Sequence, residues 1–267
     1  MPRISAAMLS AVLLAAFAAP DQHQQTKSSV TARLEFEVAS IKPSDPNEPG
    51  NGIRADPGGE TMHAENATVR LMIRSMWKLN DVQIVGAPDW VNKDLWTVRA
   101  KADGPHNLDD LHTMYQNMVI DRFNMQFHWD TRDLPMFALV AEKSGPKITV
   151  SADPGPCRVL PLPVLGGKFQ ARHCDLQYFT WIVSQFPWIA RPVVDETGLD
   201  KANVYDFNLA FEPEVSDTVD RSTLPPAPGP NFFTAVREQL GLRLESRKGP
   251  VPAMVIDHIE KPGASDN

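Results

Sequence analysis

The chain has 267 residues, with 26 Lys and Arg against 33 Asp and Glu, a net charge of −7 and 42% hydrophobic residues. That is enough apolar material for one large or two modest domains with a real core. An acidic chain without a basic stripe excludes nucleic acid and anionic membrane surfaces as natural partners.

The sequence opens MPRISAAMLSAVLLAAFAAPDQHQQ. Arg3 precedes an apolar run from Ile4 to Ala19, and Ala16 and Ala18 form an A-x-A site ahead of polar Asp21 to Ser29. This layout predicts a secretory signal peptide over 1–18 and a flexible stretch over 19–33. The run is shorter than the ~20 apolar residues of a spanning helix, which argues against a membrane anchor. No later stretch is apolar enough to span a bilayer. The expected location is outside the cytoplasm, periplasmic or extracellular.

A first strand is expected at Phe36–Ile41, stopped by Pro43. After a proline-rich stretch to Gly59, a short extended piece leads to Thr68, whose hydroxyl suits a helix N-cap. Val69, Met72, Ile73, Met76 and Trp77 then recur at helical spacing. Strands follow at Val82–Val85 and Leu95–Ala100. Asn107 caps a second helix with Leu108, Leu111, Met114, Tyr115 and Met118 on one face, and Asn124 ends it. Alternation at Met125, Phe127 and Trp129 predicts a strand, the polar run Asp130–Asp133 a turn, and Met136–Ala141 a returning strand.

The same order is then repeated. Asp175 precedes Leu176, Phe179, Ile182, Val183 and Phe186, and Pro187 ends that helix. Strands follow at Pro192–Val194 and Val204–Phe211. Asn231 precedes Phe232, Phe233, Val236 and Leu240, with Gly241 as the stop. Leu242 and Leu244 alternate, Ser246–Gly249 reads as a turn, and Ala253–Ile259 returns. Phe123/Leu240 and Pro135/Pro252 keep one offset of 117 positions. The expected architecture is α+β: an internally duplicated module, each copy roughly β-α-β-β plus α-β-β, with mixed or antiparallel sheets and helices packed on one face. The copies are expected at 34–150 and 166–262, with a linker over 151–165 and a disordered tail over 263–267.

Cys157 and Cys174 are the two cysteines. In an oxidising compartment they are disulfide candidates, closing a loop worth ~3 kcal/mol in the chain-entropy model. Two separate thiols are the alternative, since spacing alone does not fix their distance.

FEVASIKPS at Phe36–Ser44, GAPDW at Gly86–Trp90, DRFNMQFHWDTRDLPMFALV at Asp121–Val140 and RPVVDETGL at Arg191–Leu199 carry a family resemblance. YDFNL at Tyr205–Leu209 and EQLGLRLESRKGPVPAMVIDHIEKP at Glu238–Pro262 extend it. Together they resemble an uncharacterised soil-associated, acidobacterial-type family of exported proteins built on a domain of unknown function. Related domains occur on membrane metallopeptidase-type sensor proteins. The resemblance implies location and fold, and brings no catalytic residues.

The chain offers little recognisable chemistry. Its seven histidines form no H-E-x-x-H pattern and its cysteines no paired C-x-x-C, so no metal or cofactor is expected. His106 and His112 read as solvated, at the start of a helix. His173-Cys174-Asp175 is the densest cluster of ligand types, but Asp175 is already explained as a cap. There is no G-x-S-x-G elbow and no phosphate-cradling glycine loop. Asp109-Asp110 suit a helix N-terminus, and Asp195-Glu196 a strand-to-turn passage. Trp181 is expected in the core. Trp90, Trp188 and Asp195 are the candidate ligand contacts. The expected function is non-catalytic binding of an envelope protein, a peptide or a glycan. The alternatives are an exported hydrolase drawing on His173, Asp175 or Asp195, and an accessory module for a membrane sensor.

Overall fold

Strands β1 (Val38–Pro43), β2 (Gly52–Ala55) and β3 (Thr61–Thr68) lead into helix α1 (Val69–Met76). They belong to a computed structural model in which residues 33–45, 47, 49–152, 155–160, 167–212 and 229–263 are described. The expected signal peptide, the residues over 161–166 and the tail over 264–267 lie outside the described residues. After α1 come β4 (Ile84–Val85), α2 (Trp90–Lys93), β5 (Leu95–Lys101) and α3 (Leu108–Arg122). The first sheet has the order β1-β5-β3-β2, antiparallel throughout. The Thr68 hydroxyl accepts the Leu71 N–H, and the Asn107 side chain that of Asp110, so both helices begin at their expected caps. Val69, Met72, Ile73 and Met76 from α1 and Leu111, Met114, Tyr115 and Met118 from α3 are buried in one cluster with Ile41, Met62 and Val98.

The second half of the chain builds another antiparallel sheet. Strands β7 (Thr149–Val150), β8 (Arg158–Leu160) and β9 (Gly167–Cys174) precede α4 (Leu176–Ser184), with β10 (Val193–Asp195) and β11 (Tyr205–Phe211) after it. Helix α5 (Phe232–Ala235) runs into a π-helical turn over Val236–Leu240. The sheet order is β7-β11-β9-β8, again antiparallel. Asp175 and Asn231 cap their helices by accepting the Tyr178 and Thr234 N–H groups. Asn66 and His173 each take a left-handed φ, +47° and +56°, two residues before the helix cap. A disulfide joins Cys157 to Cys174 with 4.5 Å between their Cα atoms, fastening the end of β9 to the residue before β8.

Between these units lies a third sheet, β10-β6-β12-β4, built on two long strands, β6 (Gln126–Ala141) and β12 (Leu242–His258). Here the sequence reading needs correcting. Asp130–Asp133 and Ser246–Gly249 are not turns; they pair across the hairpin with Ala253–Pro250 and with Phe137–Leu134. Their polarity marks where the strands leave one core and have not yet reached the next. One end of the hairpin gives Met125, Met254 and Ile256 to the first cluster, and the other gives Phe137, Leu139 and Leu242 to the second. Pro135 and Pro252 are tolerated because these positions direct the main-chain nitrogen away from the partner strand, so no ladder bond is lost.

The register is symmetrical. Asp133 faces Pro250, 117 positions on, at the midpoint of the hairpin. Strand β4 pairs parallel with β12 at Met254–Val255, and β10 pairs parallel with β6 at Phe137–Leu139. Each half therefore lends its short strand to the other half's long one. The α+β class with antiparallel and mixed sheets is as the sequence suggests. No described helix is long and apolar enough to cross a membrane.

Candidate functional site

Trp77, the C-terminal cap of α1, packs edge-on against Phe127 at 6.0 Å between ring centroids, and Phe127 packs edge-on against Trp129 at 6.2 Å. This aromatic row follows β6 out of the first core, so Trp129 is 50% exposed although it shares a face with buried Met125. Across from it stands α4. Its buried side is Leu176, Phe179 and Val183, which turns Trp181 away from the core. The expectation that Trp181 is a core residue is therefore corrected: it is half-buried, packed 5.6 Å from Tyr178.

A groove of about 590 Å³ lies between these two walls. Trp77, Trp129 and Trp181, three of the six tryptophans, line it. Val251 and Pro252 of β12 and Val193–Asp195 of β10 line it from the central sheet, and Asp200, Lys201, Asn203 and Tyr205 from the passage into β11. Residues of both halves thus share one concave surface. At one wall the Asn80 side chain donates to the Ser184 carbonyl at 2.9 Å. The Lys78 ammonium sits 5.6 Å over the Tyr178 ring. Burial, reinforced by Asp175, holds that phenol above the ordinary tyrosine range. The Trp181 Nε1–H is buried and has no partner among the described residues.

Of the sequence-nominated contacts, only Asp195 lines the groove. Its Oδ1 accepts from the Thr197 main-chain N–H at 2.9 Å and from the Thr197 hydroxyl at 2.7 Å, a local turn as well as a groove position. Trp90 is instead stacked on Phe123 at 6.2 Å beneath Lys261, and Trp188 sits 4.8 Å from Phe186. Both are half-buried margins of the two cores, where their ring area is best used. His173, Cys174 and Asp175 do not converge: Cys174 is in the disulfide, Asp175 caps α4, and the His173 main-chain N–H donates to Asp206 at 2.8 Å. His106, expected to be solvated, is hydrogen-bonded through its ring to Asp103 at 2.8 Å, and that carboxylate raises its pKa. His112 is half-buried, and burial followed by Lys78 lowers its pKa. Among the described residues no group of three His, Cys, Asp or Glu could hold a metal ion.

A family model described as a protein of unknown function (DUF3738) matches residues 70–259. The chain belongs to the DUF3738 family. The matched DUF3738 region starts within α1 and ends just past β12, so it takes in every residue that lines the groove, from Trp77 to Pro252. Strands β1 to β3 precede it, although they complete the first sheet. Neither curated proteins nor solved structures give a match to this DUF3738 chain.

Sequence reasoning missed Trp77 and Trp129. For Trp129 the signal was present: the next residues on its face are Thr131 and Asp133, which announce that the strand has left the core.

Proposed function

We propose that the chain is an exported, non-catalytic binding protein in which two copies of one module frame a ligand groove. The observation that carries this reading is a concave surface shared by both halves, with three indoles and several polar side chains, in the size range of small-molecule and oligomer sites. The segment over 1–18 supports export, and the shared order of elements supports two copies, although β7 and β8 pair within the second half's sheet and so move its start from the expected 166 back to about 149. A binding role is favoured over hydrolysis because the groove's three carboxylates each have structural work through one oxygen: Asp175 caps a helix, and Asp195 and Asp200 accept the main-chain N–H groups of Thr197 and Ala202 in local turns. No histidine or cysteine is among the described residues lining the groove.

Thermal-shift measurements on the purified chain against panels of glycans, peptides and metal ions test this. A ligand that binds only the folded state raises the melting temperature with its concentration. Protection that is lost in Trp181→Ala supports the groove as the site. Silence across all three panels removes the reading. Sequencing the N-terminus of the secreted protein tests export, which predicts a start at Ala19.

A further inference from the structure

The groove's chemistry suits one class of ligand, and we infer that it takes a linear glycan of neutral pyranose sugars stacked on Trp129 and Trp181. The inference rests on the binding role proposed above and gives its ligand.

Trp129 leaves half of an indole in solvent in the middle of a strand, and among the described residues only Phe127 packs against it by ring contact. A pyranose ring with equatorial substituents has a flat face of axial C–H groups, which covers an indole while its hydroxyls stay at the rim. Trp181, half-buried on the opposite wall, adds a second ring against which a neighbouring sugar can stack.

The polar groups point the same way. Asp195 and Asp200 accept hydrogen bonds, while Lys78 and Lys201 donate them. Hydroxyls do both, so a sugar chain satisfies the mixed set. A phosphate or polyanion needs a surplus of cations, and two lysines beside these carboxylates supply none. A purely apolar ligand would strip water from the carboxylates without replacing it. The remaining competitor is an extended peptide, because β10 is an edge strand whose Val193 and Asp195 amides face away from β6.

Titrating the full chain with cellopentaose, with chitopentaose and with an extended valine- and threonine-rich peptide, followed by tryptophan fluorescence and calorimetry, separates these cases. Saturable binding of a pentasaccharide is expected. Trp129→Ala should weaken it by about tenfold through loss of a stacking ring, and Trp181→Phe by less, because a phenyl ring presents a smaller face than an indole. Trp90→Phe should leave it unchanged. Circular dichroism checks that both groove variants are folded; Trp129 is exposed and Trp181→Phe keeps a ring. Sugar binding indifferent to both groove variants overturns the assignment. So does peptide binding without sugar binding, but this leaves the groove's binding role standing if Trp181→Phe weakens the peptide. If none of the three probes binds, the glycan assignment falls, and the binding role is then decided by the wider thermal-shift panels.

Discussion

The Asn80 side-chain amide donates to the Ser184 carbonyl at 2.9 Å, and both residues are buried. One lies just after α1 and the other in the last turn of α4, so this bond ties the two halves together beside the groove. Asn80 also accepts the Val82 N–H, and its own N–H donates to the Gln83 side chain at 2.8 Å. Gln83 in turn donates to the Pro252 carbonyl at 2.9 Å, carrying the joint to the central hairpin.

Asn80→Ala should therefore cost about 1–3 kcal/mol, because a buried carbonyl loses its donor and the turn its cap. Asn80→Asp should cost at least as much, since a carboxylate cannot donate to Ser184. Urea denaturation of the three proteins measures this. A loss below about 0.5 kcal/mol, the usual range for an ordinary surface change, would mean that the joint is not a structural fastening.

What the sequence revealed here was local. Thr68, Asn107, Asp175 and Asn231 could be read as caps because a cap needs only the main-chain N–H groups two or three residues further on. The helix faces were legible for the same reason. Asp130–Asp133 and Ser246–Gly249 misled because polarity is the usual mark of a turn, while the strand that pairs with each lies more than a hundred residues away. The groove was hidden for a related reason. Trp77, Trp129 and Trp181 come from three separate elements, and only the crossing of the short strands β4 and β10 between halves brings them to one surface.

The two long helical segments stop in equivalent ways, Asn124 at φ +45° and Gly241 at φ +64°. A side chain at Gly241 would also press on the Gly145 carbonyl and the Lys147 amide. Gly241→Ala should cost about 1–3 kcal/mol from the left-handed backbone, with the contact adding to it. Asn124→Gly should stay within about 1 kcal/mol of the parent, since glycine adopts that conformation without strain. Equal effects at the two positions, measured by thermal melting, would contradict this account.

Glu65 receives both arms of Arg54, at 2.8 and 3.1 Å, and Arg99 at 3.0 Å. These hydrogen bonds hold its pKa down to about 2, against a usual value of 4.5. A folded-state pKa below the unfolded one gives stability that is present above the unfolded value and lost as pH falls through the folded one. The window is therefore about pH 4.5 to 2. Asp56, lowered by Thr61 and His63 on the same sheet, contributes in the same direction. The stability difference between the parent and Glu65→Gln should be largest at neutral pH and shrink across that window. A constant difference down to about pH 2 would show that Glu65 is not titrating as described.

The Cys157–Cys174 bond spans a sequence separation of 17 residues. Constraining a loop of that size is worth ~3 kcal/mol in the chain-entropy model. The double variant Cys157→Ser/Cys174→Ser should lose about that much, because the Arg172 carbonyl, 3.3 Å from the Cys174 Sγ, offers an acceptor to a serine hydroxyl in that buried site. Comparing it with Cys157→Ala/Cys174→Ala by urea denaturation separates loss of the crosslink from burial of a polar group. Equal losses in the two double variants would show that position 174 accommodates a hydroxyl.

Tyr115 is fully buried between α3 and the first sheet, and its hydroxyl has no partner among the described residues. Burial pushes its phenol well above the ordinary range, so it remains un-ionised for as long as the fold persists. Tyr115→Phe removes an unpaired polar atom and keeps the ring that fills the core. The variant should be more stable by about 1 kcal/mol, the lower end of the cost of an unsatisfied buried group. A shift of the urea midpoint to higher concentration with an unchanged slope is the expected result. A loss of stability would instead show that the hydroxyl has a hydrogen-bond partner in the folded protein.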